Sequence, residues 1–162
     1  MRRLLRDERG GSLVETALSF LLMLLLMFGV IEGSLAVYSY HFLANAAHEG
    51  TRYAIVRGGG WGSACTGYAS SGCIASTTDV ANYVASRNFP GVNIVAANVC
   101  VQYLTATPGS ATSACTASTT NTNNRPGDIV QVTVNYPFKL SIPGVPLRTI
   151  NMASTSQMVI AN

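Results

Sequence analysis

Charged side chains are scarce in this sequence. They make up 10% of its 162 residues, whereas hydrophobic residues make up 48%. Soluble domains usually carry about 25% charged residues, and a chain of this length holds one domain and an additional segment. The shortage of charge therefore indicates that part of the chain does not face water as an ordinary soluble surface does.

Positive charge is sparse after the first nine residues. Four arginines and two acidic residues precede Gly10, and the rest of the chain holds six basic and five acidic side chains. A protein that binds nucleic acid needs basic side chains over its folded part, where they contact phosphates. The distribution of charge argues against a nucleic-acid partner.

Catalytic motifs are missing as well. The sequence contains no G-x-S-x-G, no phosphate-binding G-x-x-x-x-G-K-[ST] and no H-E-x-x-H. His41 and His48 lie two helical turns apart with Glu49 beside them, which makes them weak metal-ligand candidates. The alternative is that both are polar residues of a stalk helix or contacts to a neighbouring subunit. We expect a protein that is not an enzyme and that has no cofactor, metal or small-molecule substrate.

One long hydrophobic run covers residues 13–31, with Glu15 as its only charge. A membrane-spanning helix needs about 20 predominantly apolar residues, a length that Ser12 completes. Four arginines precede the run and the next basic residue is Arg52. The positive-inside rule therefore predicts a cytoplasmic N-terminus, an extracytoplasmic remainder and membrane lipid as a partner.

A cleaved secretory signal is the main alternative for this segment. Signals also have a basic start and an apolar core, and residues 34–36 (Ser-Leu-Ala) resemble a cleavage site. However, signal cores usually have about 7–15 apolar residues, and this run is longer. Helical character also continues beyond it, which favours a retained anchor.

The absence of proline before Pro90 permits a long helix. One apolar stripe recurs at spacings near three, four and seven and includes Leu35, Tyr38, Phe42, Ala46, Tyr53 and Val56. We predict one helix over residues 12–56, ended by the three glycines at 58–60. Its first half lies in lipid and its second half carries an outer domain.

Four cysteines, Cys65, Cys73, Cys100 and Cys115, follow the helix. An even number in an exported domain suggests two disulfides, and four cysteines allow three connectivities. Pairs Cys65–Cys73 and Cys100–Cys115 are favoured because both close short local loops. A zinc site would need close pairs such as C-x2-C, which this sequence lacks.

The remaining patterns predict an α+β domain. A short helix is expected over residues 78–88 with its N-cap among residues 77–79, and alternating strands are expected over residues 98–105, 128–138 and 148–160 in an antiparallel sheet. Residues 105–124 are rich in Ser and Thr and predict a long loop. Residues 125–128 (Arg-Pro-Gly-Asp) predict a turn before the second strand. The predicted domains are residues 1–10 (basic leader), 11–57 (transmembrane and stalk helix) and 58–162 (extracytoplasmic domain).

Gly10, Gly11 and Glu15 lie where the basic leader enters the apolar helix. In the simpler interpretation the glycines are a flexible entry and Glu15 reaches the lipid headgroups. In the sharper one, a peptidase cuts between Gly10 and Gly11. Glu15 is then the fifth residue of the mature chain, and its carboxylate faces the free amine of an adjacent subunit during assembly.

Three segments resemble the TadE-like family of the tight-adherence (Flp) pilus system. They are RRLLRDERGGSLVETALSFLLMLLLMFGVIEGSLAVY at the start, HFLANAAHEGTRYAIV after it, and RPGDIVQVTVNYPFKL near the C-terminus. Thr16 departs from the family, in which an aromatic residue is common at this place.

The resemblance implies a minor pseudopilin in the bacterial inner membrane. Processing by a prepilin peptidase, partnership with other pilins and the pilus assembly machinery, and a role in adhesion, biofilm formation or secretion are further expectations. The alternative function is a single-pass, membrane-anchored binding module that stays outside the filament and contacts a ligand through the Ser/Thr-rich loop.

Overall fold

The computed structural model describes residues 9–87, 91–104, 124–144 and 146–161. It contains the helices α1 (Arg9–Ile55) and α2 (Thr77–Ser86), two 3-10 turns, Gly59–Trp61 and Ala96–Asn98, and the strands β1 (Val99–Leu104), β2 (Ile129–Leu140) and β3 (Arg148–Val159). The predicted α+β fold, a long apolar helix followed by a small domain with an antiparallel sheet, is confirmed. The three-part division of the chain stays a prediction.

Helix α1 is continuous over 47 residues. Its sequence has no proline and is rich in Leu, Met and Ala, which are good helix formers. Ser34 and Ser39 donate hydrogen bonds to the carbonyl oxygens of Val30 and Leu35, each at 2.8 Å, so these polar groups are satisfied within the helix. Of the helices described, α1 is long and apolar enough to cross a membrane.

The small domain, which we call the head, is built on the sheet β1-β2-β3 with β2 in the centre. Both strand pairs are antiparallel, and Val132 of β2 lies between Val101 of β1 and Ser156 of β3. One face of the sheet carries the buried residues Val99, Val101, Tyr103, Val130, Val132 and Val134. This face forms a single core with α2 and the C-terminal half of α1.

Small side chains bring α1 close to the sheet. Ala47, Thr51 and Ala54 are fully buried, and a Cβ atom added at Gly50 would lie 2.7 Å from Val84 Cγ2. The Thr51 and Ser156 hydroxyl oxygens are 3.0 Å apart and share a hydrogen bond. The helix therefore packs on the sheet through a strip of small residues.

The predicted apolar stripe is partly wrong. Phe42, Ala46 and Tyr53 are buried as expected, but Leu35, Tyr38 and Val56 are 49%, 46% and 55% exposed. Leu35 and Tyr38 precede Ser39, the first buried residue of α1. Val56 follows the last residue of α1. The head covers a shorter stretch of the helix than the stripe indicates.

Helix α2 begins with a capping box. The backbone N–H of Asp79 donates to the Ser76 hydroxyl, and the Ser76 N–H donates to the Asp79 carboxylate. The N-cap is thus Ser76 and not one of residues 77–79, which corrects the sequence prediction. Each of the two residues satisfies a backbone group of the other, as such pairs do at helix starts.

The disulfide Cys65–Cys73 is confirmed. Cys100 is also disulfide-bonded, whereas Cys115 and most of the Ser/Thr-rich loop lie outside the described residues. The turn predicted at residues 125–128 is present, since the Asp128 N–H donates to the Arg125 carbonyl at 3.0 Å. Gly127 there has a φ of 94°, which glycine adopts without strain.

Candidate functional site

Gly10 and Gly11 lie in the first turn of α1 and are exposed. A Cβ atom added at either position would meet nothing within 4 Å, so neither glycine is required for packing in this conformation. Residues 1–8 of the predicted leader lie outside the described residues. Cleavage between the two glycines stays a prediction.

Glu15 is exposed on α1, one turn after Gly11. Within the described part of the chain, no residue forms an ion pair or a hydrogen bond with its side chain. Large apolar side chains follow along the helix, with Leu22, Met23 and Leu26 64–71% exposed. An exposed, uniformly apolar helix is typical of a segment that contacts lipid or other helices.

The structure contains a second candidate site, which the sequence patterns did not predict. Seven residues from the end of α1, the turn after it and α2 line a cleft that we call the arginine–tyrosine cleft: Glu49, Arg52, Tyr53, Val56, Arg57, Tyr83 and Arg87. Its volume is about 460 Å³. The two halves of the cleft are about 30 residues apart in sequence, and the packing of α2 on α1 joins them.

Four side chains of the cleft form a stack. The Tyr53 and Tyr83 rings are stacked, with centroids 4.2 Å apart. The Arg57 guanidinium lies 4.0 Å from the Tyr53 ring centroid, and the Arg87 guanidinium lies 4.8 Å from the Tyr83 ring centroid. Cations are attracted to the faces of aromatic rings, so each arginine is held by a tyrosine.

Hydrogen bonds tie this stack to the loop that follows α1. The Tyr53 hydroxyl donates to the Tyr68 carbonyl at 2.7 Å, and Arg57 Nε donates to the Ser70 carbonyl at 3.2 Å. The Cys65–Cys73 disulfide closes the loop that carries both acceptors. The disulfide therefore supports one side of the cleft.

The charges in the cleft do not balance. Three arginines and one glutamate line it, so it carries two net positive charges. Arg87 Nε lies 3.6 Å from the Glu49 carboxylate, and Arg87 Nη2 donates to the Tyr83 hydroxyl at 2.6 Å, a bond that raises the pKa of Arg87. No described residue pairs with the Arg52 side chain. Burial raises the pKa of Tyr53.

His41 and His48 are both exposed on α1. The described residues contain no group of three His, Cys, Asp or Glu side chains that could hold a metal ion. Glu49 instead faces Arg87 across the helix interface. The structure therefore places Glu49 in the arginine–tyrosine cleft.

Comparison with known proteins finds a family model that matches the first part of the chain. A family model described as TadE-like protein matches residues 10–52, which include Gly10, Glu15 and Arg52. The resemblance stated from the sequence is confirmed over this segment. No curated protein and no solved structure matches the chain.

Proposed function

We propose that this protein is a minor pseudopilin, a structural assembly protein of a tight-adherence (Flp-type) pilus, and not an enzyme. The match of residues 10–52 to the TadE-like family model supports this proposal. Its α1 helix is anchored in the bacterial inner membrane, with the N-terminus in the cytoplasm and the head outside. The proposed role is in pilus biogenesis and, through the pilus, in adhesion, biofilm formation or secretion.

The observation that carries this proposal is the exposed apolar half of α1, whose one carboxylate, Glu15 near its start, has no partner among the described residues. A carboxylate within the hydrocarbon region is energetically unfavourable unless it is paired. Pairing with an amine of a neighbouring subunit at about 4 Å would contribute roughly 4 kcal/mol, before desolvation, at an effective dielectric constant near 20. Glu15 would thus favour assembly in one register.

The amine would come from proteolysis. Cleavage by a prepilin peptidase between Gly10 and Gly11 removes the arginine-rich leader and leaves a free α-amine on Gly11. Glu15 of an adjacent subunit can then pair with this amine. Loss of the leader also removes the charges that hold the N-terminus on the cytoplasmic side, so the processed subunit can leave the membrane for a filament.

The test is the intact mass and N-terminal sequence of the protein recovered from its native membrane. We expect an N-terminus at Gly11 for the wild type and at Met1 for Gly10→Leu. The matched control is Gly33→Leu, because Gly33 is another helical glycine with no neighbour within 4 Å of an added Cβ. The control should be processed normally. Unprocessed wild-type protein in cells with an active prepilin peptidase would contradict the proposal.

A membrane-anchored binding module outside the filament is the second candidate function. Arg52 of the arginine–tyrosine cleft, which has no ion-pair partner among the described residues, favours it. Fractionation separates the two candidates. A pseudopilin should appear in sheared filaments or with the pilus machinery, whereas a binding module should remain in the membrane fraction. Glu15→Gln should reduce the filament-associated amount of a pseudopilin and leave the amount of a membrane module unchanged.

A further inference from the structure

We propose that the arginine–tyrosine cleft binds an acidic segment of a partner protein and that Arg52 is its main carboxylate contact. The inference goes beyond the proposed function and rests on it only for the membrane anchoring of α1, which excludes lipid as the ligand; the cleft itself belongs to the head and forms whether or not the leader is cleaved. It assigns a binding surface to the head, outside the membrane half of α1.

The distribution of charge is the first argument. Three of the six basic side chains after residue 9 line this single cleft. Guanidinium groups gathered around one carboxylate repel each other, and further negative charge would offset this repulsion. Glu49 supplies one negative charge and lies 3.6 Å from Arg87, which leaves the cleft two charges short of neutrality.

The order of the side chains is the second argument. Arg57 and Arg87 are stacked on Tyr53 and Tyr83, so a ligand would not have to immobilise them. Arginines that are already ordered lose less conformational entropy on binding. Arg52 adds a guanidinium that forms no hydrogen bond or ion pair with the described residues, and an arginine can bind a carboxylate through two parallel hydrogen bonds.

The position of the cleft excludes lipid headgroups as the source of negative charge. Arg52 follows Ile31, the last residue of the apolar run, by 21 positions, which correspond to roughly 30 Å along a helix that rises 1.5 Å per residue. The headgroup layer on each side of a bilayer is only about 5–8 Å thick. A protein carboxylate can reach the cleft, whereas a phospholipid of the anchoring membrane cannot.

Glu49 indicates which chemistry the cleft accepts. It is a carboxylate of this chain held beside an arginine of the same cleft, so it both resembles the ligand and competes with it for Arg87. Replacing Glu49 by glutamine should therefore strengthen the binding of an acidic peptide. A purely structural role for the cleft does not predict such a gain.

The experiment uses the full chain in an uncharged detergent and measures fluorescence anisotropy of a tetraglutamate peptide that carries a neutral dye. Trp61, the only tryptophan, donates to the Val56 carbonyl at the edge of the cleft and gives a second, label-free signal. We expect Arg52→Gln to weaken peptide binding about tenfold, as the loss of a charge-assisted hydrogen bond does, and Glu49→Gln to strengthen it several-fold.

Arg125→Gln is the matched control, because Arg125 is another exposed arginine and lies in the turn before β2, outside the cleft. It should change the affinity less than twofold, and a tetraglutamine peptide should not bind. Circular dichroism should show that all three variants fold, since none of the three side chains is buried.

Three results would overturn the proposal. The first is equal weakening by Arg52→Gln and Arg125→Gln, which would mean diffuse attraction between opposite charges. The second is Arg52-dependent binding of inorganic phosphate without binding of the peptide, which would mean a site for small anions. The third is failure of the peptide to bind the wild type at low salt.

Discussion

The two halves of α1 form one continuous helix but differ in the exposure of their side chains and in what they pack against. Over residues 13–31 the large apolar side chains other than Leu24 are exposed, whereas over residues 39–55 one face is buried against the sheet and α2. Apart from Glu15, Thr16 and Ser19, the first half is apolar on all sides, whereas the second is apolar on one face and rich in Ala and Gly there. The composition of a helix face thus indicates whether it meets lipid and other helices or a protein core.

The largest expected contrast between the halves comes from removing a leucine. Leu43 is fully buried, so Leu43→Ala should lower the free energy of unfolding of the head by about 3 kcal/mol, through lost burial and a residual cavity. Leu22→Ala should leave it unchanged, because Leu22 is 64% exposed and belongs to the membrane half. Urea unfolding in micelles, followed by Trp61 fluorescence, measures both. Equal losses would mean that the halves are not independent.

A smaller contrast comes from adding one methyl group to a helical glycine. At Gly50 a Cβ atom would lie 2.7 Å from Val84 and 3.2 Å from Val132. Overpacking of about 1–3 kcal/mol should exceed the gain in helix propensity of about 1 kcal/mol. Gly50→Ala should therefore destabilise the head, whereas Gly33→Ala, with no neighbour within 4 Å, should not. The same urea titration distinguishes the two, and a neutral Gly50→Ala would mean that α1 can move away from the sheet.

The smallest expected effect depends on alkaline pH and concerns the head alone. Tyr103 is buried, its hydroxyl donates to the Ala75 carbonyl at 3.0 Å, and burial raises its pKa. The unfolded phenol ionises near pH 10. The stability that depends on neutral Tyr103 is therefore complete below about pH 10 and is lost as the pH rises towards the higher folded pKa.

In Tyr103→Phe this loss should be shallower, by up to about 1.4 kcal/mol for each pH unit above 10. The carbonyl of Ala75 keeps its second donor, the Asn124 side chain at 2.9 Å, so the variant should still fold. Near-ultraviolet circular dichroism reports the head, while the helical signal of the membrane half should not change with pH. Identical slopes for wild type and variant would show that another group controls alkaline unfolding.

Much of the fold can be predicted from the sequence, because the patterns that indicate it are local. The absence of proline, the apolar run and the alternation in each strand depend on neighbouring residues, and so do the Cys65–Cys73 pair and the turn at residues 125–128. The capping box was also legible, since Ser76 and Asp79 stand at the required spacing. None of residues 77–79 has an acidic residue at that spacing.

The surface of α1 that meets the sheet is harder to predict, because large apolar side chains do not mark it. Leu35 and Tyr38 are large and remain exposed, whereas the contact is made by Ala47, Gly50 and Ala54. Such residues are buried because they permit close approach, which depends on the partner surface. The arginine–tyrosine cleft could not be predicted for a similar reason, since Tyr83 and Arg87 meet α1 only through tertiary packing.

Because α1 is continuous, its length fixes both the distance and the angle of rotation between Glu15 and the head. No break separates the two halves, so the rotation of the head about the helix axis is set by residue count. One residue inserted between Ile31 and Ser39 would turn the head by about 100° and raise it by about 1.5 Å. Seven inserted residues would raise it by about 10 Å and return it to within about 20° of its original direction. In any assembly registered through Glu15, the length of this neck therefore decides which way the head faces.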